Sequence, residues 1–230
     1  GRRRLGNVSP LREANHLETL SPQSERETPM KLRSSIFLSS LLLLSGAILI
    51  PLQASPPPPA TQAFTVDSDH SVALFRITHL GIGAFHGRFN DVKGSVDWAD
   101  DNLAGSSVSV EIPIGSVDSN NEKRDQHLKS PDFFSAKQFP VMTFKSSAIK
   151  KEGEGYAITG TLTLRGVSKE ITVQATKIGE GDRGPRFGYR AGFETVFTLK
   201  RSDYGITWGV ENKALGDEVR VTIALECLKK

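Results

Sequence analysis

The side chains best suited to metal or acid–base chemistry are four histidines that lie far apart in the sequence. They are His70, His79, His86 and His127. None has the close spacing to cysteine, histidine or carboxylate that is typical of a zinc site, so no metal is predicted. Hydrogen bonds to the backbone at strand ends and turns are the simplest role for them. His79 also shares strand parity with Phe75 and Ile77, and we expect it to point inward, where it needs a partner or a ligand headgroup.

Nucleophilic catalysis is not indicated either. The sequence holds no G-x-S-x-G elbow, and Asp125-Gln126-His127 is too local to place a triad in space. Arg124 and Asp125 are expected to be helix-surface charges or to pair with a neighbouring loop. Arg165-Gly166 and Arg201-Ser202-Asp203-Tyr204-Gly205 are typical of turns, in which glycine supplies a positive φ. Arg201 is also a candidate for contact with an anionic headgroup, such as a phosphate.

Phenylalanine is the dominant aromatic residue, and eleven of the twelve follow residue 63. An eight-stranded barrel has an interior that is either filled by such side chains or holds one small ligand. The residues alone leave a packed core and a lined cavity both open. Cys227 continues the inward parity of Val221, Ile223 and Leu225, so it is predicted to be a small buried hydrophobic residue.

The elements that position these residues show a period of two. Apolar residues alternate with polar ones in five segments: Val108–Ile114, Tyr156–Leu164, Ile171–Ala175, Phe193–Leu199 and Val219–Leu225. This alternation is typical of half-buried strands in an antiparallel sheet. Three segments are predicted as turns between strands: Asp100-Asp101-Asn102, Gly153-Glu154-Gly155 and Gly179-Glu180-Gly181-Asp182.

One helical segment interrupts this pattern. Ser119-Asn120-Asn121-Glu122 has the spacing of a capping box, and Pro131 follows Lys129 as a stop signal. Phe133 and Phe134 come directly after it. The sequence therefore predicts an all-β fold, a sandwich or closed barrel, with a short helix inserted between strands that acts as a lid or plug.

The N-terminal part differs in kind from the rest. The basic stretch Met30-Lys31-Leu32-Arg33 precedes an uncharged apolar run over 36–50, as in a secretory signal peptide. We therefore divide the chain into an upstream or disordered extension (1–29), a signal peptide (30–54), a proline-rich linker (55–62) and one domain (63–230). The expected location is the periplasm or the exterior. A retained membrane anchor is the alternative, although the run is shorter than the roughly 20 residues that span a bilayer.

The basic charge of the chain belongs to its N-terminal part. Residues 1–62 carry seven of the 29 Lys and Arg and four of the 26 Asp and Glu, which leaves 22 of each for 63–230. A domain with zero net charge has no electrostatic footprint for nucleic acid, so that class of partner is excluded.

The domain resembles the YceI-like family of bacterial polyisoprenoid-binding proteins. The matching motifs, in order, are Phe64-Thr65-Val66-Asp67, Asp69-His70-Ser71, Gly87-Arg88-Phe89, Asp132-Phe133-Phe134, Gly160-Thr161-Leu162-Thr163-Leu164-Arg165-Gly166, Arg201-Ser202-Asp203-Tyr204-Gly205 and Gly216-Asp217-Glu218-Val219. The resemblance implies a single eight-stranded, lipocalin-like antiparallel barrel. It also implies an exported, non-enzymatic carrier or reservoir with a long-chain isoprenoid, a prenyl quinone or prenyl phosphate, in an apolar tunnel. No other cofactor is expected, while transient membrane contact and a homodimer fit this hypothesis.

Strand parity, together with this resemblance, gives the predicted ligand-binding residues. The walls are Phe75, Ile77, His79, Phe85, Phe89, Val110, Ile112, Phe144, Leu162, Leu164, Phe193 and Phe197, and the gate is Phe133 and Phe134. Two alternatives stay open: a ligandless stress-related or interaction module with a solid core, and an enzyme acting on an isoprenoid lipid.

Overall fold

The structure is a computed structural model that describes residues 59–230. The predicted extension (1–29), the predicted signal peptide (30–54) and the first half of the predicted linker (55–62) lie outside the described residues. The first strand begins at Gln62, one residue before the predicted start of the domain. No helix in the described part of the chain is long and apolar enough to cross a membrane.

Residues 59–230 form eleven strands and one α-helix. The strands are β1 (Gln62–Val66), β2 (Val72–His79), β3 (Gly83–Phe89), β4 (Lys93–Trp98), β5 (Ser107–Pro113), β6 (Val117–Asp118), β7 (Val141–Glu152), β8 (Gly155–Leu164), β9 (Val167–Asp182), β10 (Tyr189–Lys200) and β11 (Leu215–Lys229), and helix α1 spans Glu122–Lys129. All five segments with alternating polarity fall mainly on strands, because period-two burial suits a sheet with one face in the core.

The sheet closes on itself. Strand β11 pairs with β2 along its first part and with β1 at its end, where Phe64 lies opposite Lys229. Strand β1 pairs with β4 on its other side. The pairs β1/β2, β3/β4 and β5/β6 thus act as three long, interrupted strands beside the five continuous ones. The result is the predicted eight-stranded antiparallel barrel, in which each of these eight combined strands has a neighbour on both sides.

The helix starts differently from the predicted capping box. Asn121 caps α1, and its side chain accepts a hydrogen bond from the Arg124 amide at 3.0 Å. Ser119 lies before the cap, and its hydroxyl donates to the Asp125 carboxylate. The prediction was wrong at this point because Asn and Ser are equally good caps, and spacing alone did not choose between them.

The predicted turn over Gly179–Asp182 is also wrong. These residues lie in β9 and pair with β10 as far as Asp182 opposite Tyr189. The real turn follows at 183–188, where Gly184 and Gly188 have positive φ. Glycine permits a turn but does not require one, and the Glu180 carboxylate here accepts a hydrogen bond from the Tyr189 hydroxyl at 2.6 Å.

The end of the barrel that holds β1 is filled by side chains. Trp98 and Phe64 are among its fully buried residues, and Trp98 packs edge-on against Tyr156 with ring centres 4.8 Å apart. Burying one such side chain contributes about 1.5–3 kcal/mol, so this end is a stable plug. We call it the closed end. The strands and buried core residues that the structure describes lie between Gln62 and Lys229, and the barrel closes within fragment 59–230.

Candidate functional site

A cavity of about 580 Å³ lies inside the barrel. This volume is within the range of roughly 300–1,000 Å³ that small-molecule sites occupy. The lining is apolar along the strands, and most of its polar members, including Arg124 and His127, belong to the end that carries α1. We call that end the mouth. An apolar tube with a polar rim suits a long hydrocarbon whose more polar end faces outward.

The structure brings all of the predicted ligand-binding residues to this cavity. All fifteen line the cavity: Phe75, Ile77, His79, Phe85, Phe89, Val110, Ile112, Phe133, Phe134, Phe144, Leu162, Leu164, Phe193, Phe197 and Arg201. They meet because inward parity on neighbouring strands puts each of them on the inner face of one closed sheet. Their contact with a ligand stays a prediction, since the cavity wall alone does not identify an occupant.

Several lining residues were not in the predicted set. Strand β11 contributes Val219, Val221, Ile223 and Leu225. Their alternation was visible in the sequence and could have placed them on the wall. Trp208 also lines the cavity but lies in the 205–214 loop, where no periodicity indicates which way a side chain points.

His79 lines the cavity but is exposed at its mouth, contrary to the expectation of a buried polar ring. Strand β2 ends at this residue, so its ring reaches water and needs no buried partner. Two other histidines bond to carboxylates instead of the backbone. His70 Nδ1 lies 2.9 Å from Asp67, and His127 Nε2 lies 2.8 Å from Asp132.

The predicted gate residues pack in an aromatic group at the mouth. The Phe133 ring centre lies 4.9 Å from that of His127 and 5.4 Å from that of Trp208. Phe134 packs on the wall residue Phe89 at 5.5 Å. Aromatic pairs at these separations contribute about 0.5–1.5 kcal/mol each beyond the burial of their surface, so the pairs stabilise the mouth. A gating role for Phe133 and Phe134 stays a prediction.

Helix α1 is fixed to the rim through Arg124. Its Nε donates to the Ser119 hydroxyl at 2.8 Å, and the guanidinium carbon lies 4.2 Å from the centre of the Phe85 ring. His127 and Leu128 follow one turn later and also face the cavity, as the i, i+3 and i+4 spacing requires. Arg124 is therefore part of the mouth, whereas the sequence indicated a helix-surface charge or a pairing with a neighbouring loop.

Arg201 is largely committed to the fold. Its guanidinium donates to the carbonyls of Gly216 and Trp208 at 2.8 Å, and to those of Ile206 and Leu215 at 3.1 and 3.3 Å. Four of the five donors of an arginine are thus used to hold the β10–β11 loop. Burial lowers the pKa of Arg201 from its usual value. The predicted headgroup contact keeps one donor at most, and Arg201 is mainly a structural residue.

A network of side-chain hydrogen bonds surrounds Asp100 at the closed end. Its carboxylate accepts hydrogen bonds from Trp98 Nε1 and the Tyr156 hydroxyl, both at 2.8 Å, and from Lys177 at 2.7 Å. Burial raises the pKa of Asp100, but the bonds from Lys177, Trp98 and Tyr156 outweigh this and bring it to about 2. The network ties three strands together beneath the cavity.

One group of side chains has the composition of a metal site. The ligand atoms of Asp67, His70 and Glu226 lie within 4.8 Å of one another. The Arg190 guanidinium, however, donates to both carboxylates at 2.6 Å. A cation already balances these charges, so the group is explained as an ion-pair network.

Comparison with known proteins agrees with this architecture. The model of the YceI-like domain matches residues 64–227, which reach from within β1 to within β11 and so cover nearly the whole barrel. The chain belongs to the YceI-like family. A UPF0312 protein of Pseudomonas aeruginosa is 41% identical over 164 residues, which cover 71% of this chain and 84% of that protein. A UPF0312 protein of Pectobacterium carotovorum is 37% identical over 193 residues, with 84% and 99% covered.

Solved structures share the YceI-like barrel. BcnA of Burkholderia cenocepacia has a TM-score of 0.63 at 26% identity, covering 70% of this chain and 98% of that one. The Campylobacter jejuni YCEI protein has a TM-score of 0.58 at 34% identity, covering 66% and 89%. A polyisoprenoid-binding domain from Saccharophagus degradans has a TM-score of 0.56, covering 74% and 99%, and at 16% identity it shows the common fold alone.

Proposed function

We propose that this YceI-like protein is an exported carrier or reservoir that binds one long-chain isoprenoid lipid in its barrel. The observation that carries the proposal is the cavity of about 580 Å³, which is apolar along the strands and opens at a polar rim. A prenyl chain is a branched hydrocarbon that fits such an apolar tube. Its quinone or phosphate headgroup would lie at the polar rim.

The energetics suit binding without specific polar contacts. Each buried CH₂ contributes about 0.8 kcal/mol, so one five-carbon isoprene unit contributes about 4 kcal/mol. Association and ordering of the chain cost about 4–15 kcal/mol. A few buried units therefore offset the cost, and affinity rises with chain length until the cavity is full.

The lining favours binding over catalysis. His79 is exposed at the mouth, and among the described residues that line the cavity Glu194 is the one carboxylate. General acid–base catalysis requires a titratable side chain within hydrogen-bond reach of the reacting atom, and the strands that line the cavity supply mainly apolar side chains. An enzyme that acts on the headgroup outside the mouth is the second candidate, and His79 would be its proton-transfer group.

Two further observations support the lipid and the export. The fold is shared with a polyisoprenoid-binding domain from Saccharophagus degradans, and this likeness supports the proposed class of ligand. The basic stretch Met30-Lys31-Leu32-Arg33 and the apolar run over 36–50 have the order of a secretory signal. N-terminal sequencing of protein recovered from the periplasm tests the export, and a chain that retains the run would contradict it.

A binding titration tests the ligand class. Delipidated fragment 59–230 is titrated with isoprenoid alcohols of increasing length, and we expect saturable binding of one molecule per barrel that tightens with each unit. Straight-chain alkanols of equal carbon number serve as the matched control and should bind more weakly. Absence of saturable binding for every length would support the ligandless module instead. Turnover of a bound lipid that is lost in His79→Ala would support the enzyme.

A further inference from the structure

Three large apolar side chains stand out into solvent around the cavity mouth. Ile82 is 90% exposed, Leu80 57% and Trp208 44%. The two segments that carry them are bonded to each other, because the Leu80 amide donates to the carbonyl of Ala214 at 2.9 Å, at the end of the loop that carries Trp208. Exposed apolar residues are common singly, but a group at the opening of an apolar cavity is typical of an interaction surface.

The turn that carries two of them has an unusual sequence for its shape. Leu80 and Gly81 have φ of 53° and 72°, and the Ile82 amide donates to the His79 carbonyl at 3.1 Å. Positive φ at both central positions favours Asn, Asp or Gly, whereas a branched apolar residue is strained there. Folding alone would therefore favour Asn at position 80. The presence of leucine indicates a role for the apolar tip itself.

Trp208 connects the surface to the cavity. Its ring centre lies 5.4 Å from that of the gate residue Phe133, and the same side chain lines the cavity. Tryptophan is enriched where one part of a side chain meets hydrocarbon and another meets water, as at the interface of a bilayer.

The segments that bear these apolar side chains have no net charge. The 80–82 turn carries no charged residue, and the 205–214 loop carries Glu211 and Lys213. Helix α1, which bears none of the three, has three basic residues and two acidic ones. A surface that binds anionic lipid by attraction needs an excess of Lys and Arg, and this rim has none in the segments that bear the apolar tips. Insertion of apolar side chains between neutral headgroups is the mode that fits.

We propose that the mouth docks on a zwitterionic lipid bilayer by inserting Leu80, Ile82 and Trp208, so that a lipid passes between bilayer and cavity without crossing water. The passage of the lipid rests on the proposed function, whereas the docking is a separate property of the rim. The cavity opens directly behind the inserted tips, which makes the docked orientation the one needed for transfer.

Flotation with phosphatidylcholine vesicles that contain no isoprenoid tests the docking. Fragment 59–230 is used, because the apolar run over 36–50 would bind lipid by itself. We expect wild type to float with the vesicles and Ile82→Asn to bind about tenfold more weakly, as loss of one buried isoleucine implies. Leu80→Asn should also bind more weakly while unfolding at the same or a higher temperature, since asparagine suits the turn.

Ile178→Asn is the matched control. Ile178 is 67% exposed near the closed end of the barrel, so it tests exposed apolar surface as such. It should bind vesicles like wild type. Brominated phosphatidylcholine should quench Trp208 but leave Trp98, which is 2% exposed at the closed end, unaffected. Equal losses for Ile82→Asn and Ile178→Asn, or binding only to anionic vesicles that salt abolishes, would overturn the proposal.

The two proposals fail in distinguishable ways. Isoprenoid binding in solution without flotation would contradict the proposed docking but not the proposed carrier. Flotation without isoprenoid binding would contradict the proposed carrier but not the proposed docking, and the barrel would then have another function.

Discussion

Arg124 of helix α1 lies over the ring of Phe85 on strand β3, with 4.2 Å between the guanidinium carbon and the ring centre. This contact joins the helix to the barrel wall at the mouth. The same arginine donates to Ser119 at 2.8 Å, just before the helix begins. Arg124 is therefore one of the side chains that hold α1 over the cavity, beside His127 and Leu128, which also line it.

Arg124→Ala should speed the release of bound isoprenoid. A cation–π contact at an exposed site contributes about 0.5–1 kcal/mol, so the dissociation rate should rise about two- to fivefold with little change in global stability. Lys123→Ala removes a neighbouring charge without the contact to Phe85 and is the control. Dissociation is followed by transfer of a fluorescent isoprenoid to acceptor vesicles. Equal rates for both variants would show that the contact does not hold the mouth.

Phe197→Trp should weaken isoprenoid binding by filling part of the cavity. Phe197 lines the cavity on β10, and Val196 beside it points to the outside. An indole at position 197 occupies space that the chain needs, and we expect a loss of affinity of about tenfold. Val196→Trp adds the same volume to the outer face and should leave affinity unchanged. A titration with isoprenoid alcohol measures both, and similar affinities for the two would contradict the wall assignment.

The barrel follows from sequence pattern more completely than the mouth does. Alternation over segments such as Phe193–Leu199 predicts inward faces correctly, because in a closed sheet parity alone decides which side chains meet. Arg201 and His79 show the limit. The hydrogen bonds of Arg201 depend on how the β10–β11 loop folds back on it. The solvent exposure of His79 depends on the position of the β2–β3 turn. The alternation of polar and apolar residues predicts neither.

Trp208 is a residue of the cavity mouth that the sequence pattern does not predict. Its place in the aromatic group at the mouth comes from contacts with His127 and Phe133, which are about 80 residues away in the chain. Loop residues take their direction from tertiary packing, so sequence reasoning has no rule that would have found it. The absence of a solid core was also undecided, since Phe-rich strands suit both a plug and a tube.

Acid should remove the stabilising effect of the network at the closed end. The pKa of Asp100 is about 2 in the folded protein against 3.8 ordinarily. A depressed pKa adds stability that is fully present above about pH 4 and is lost as the pH falls towards 2. Urea unfolding at pH 6 should show Asp100→Asn less stable than wild type, and the difference should shrink at pH 2.5. Asp101→Asn is the neighbouring control, and a difference independent of pH would contradict the role of the carboxylate.

Cys227 should report on opening of the barrel. It is fully buried, and burial raises the pKa of its thiol to about 12, so the reactive thiolate is scarce at pH 8. A thiol reagent should label the folded protein at least about a hundredfold more slowly than the unfolded chain, since labelling requires the closed end to open. Bound isoprenoid should slow labelling further. Ala224→Cys in a Cys227→Ala background offers a less buried thiol as a control, and rapid labelling of native Cys227 would contradict the packing at this end.

We expect the cavity to hold an isoprenoid lipid when the protein is isolated from the cells that produce it. The most direct test is native mass spectrometry of exported protein, followed by organic extraction and analysis of the released lipid. We expect one added mass per barrel that matches a prenyl chain, and we expect less of it in Phe197→Trp. A barrel that carries no lipid when isolated, and takes up none when isoprenoid is added, would contradict it.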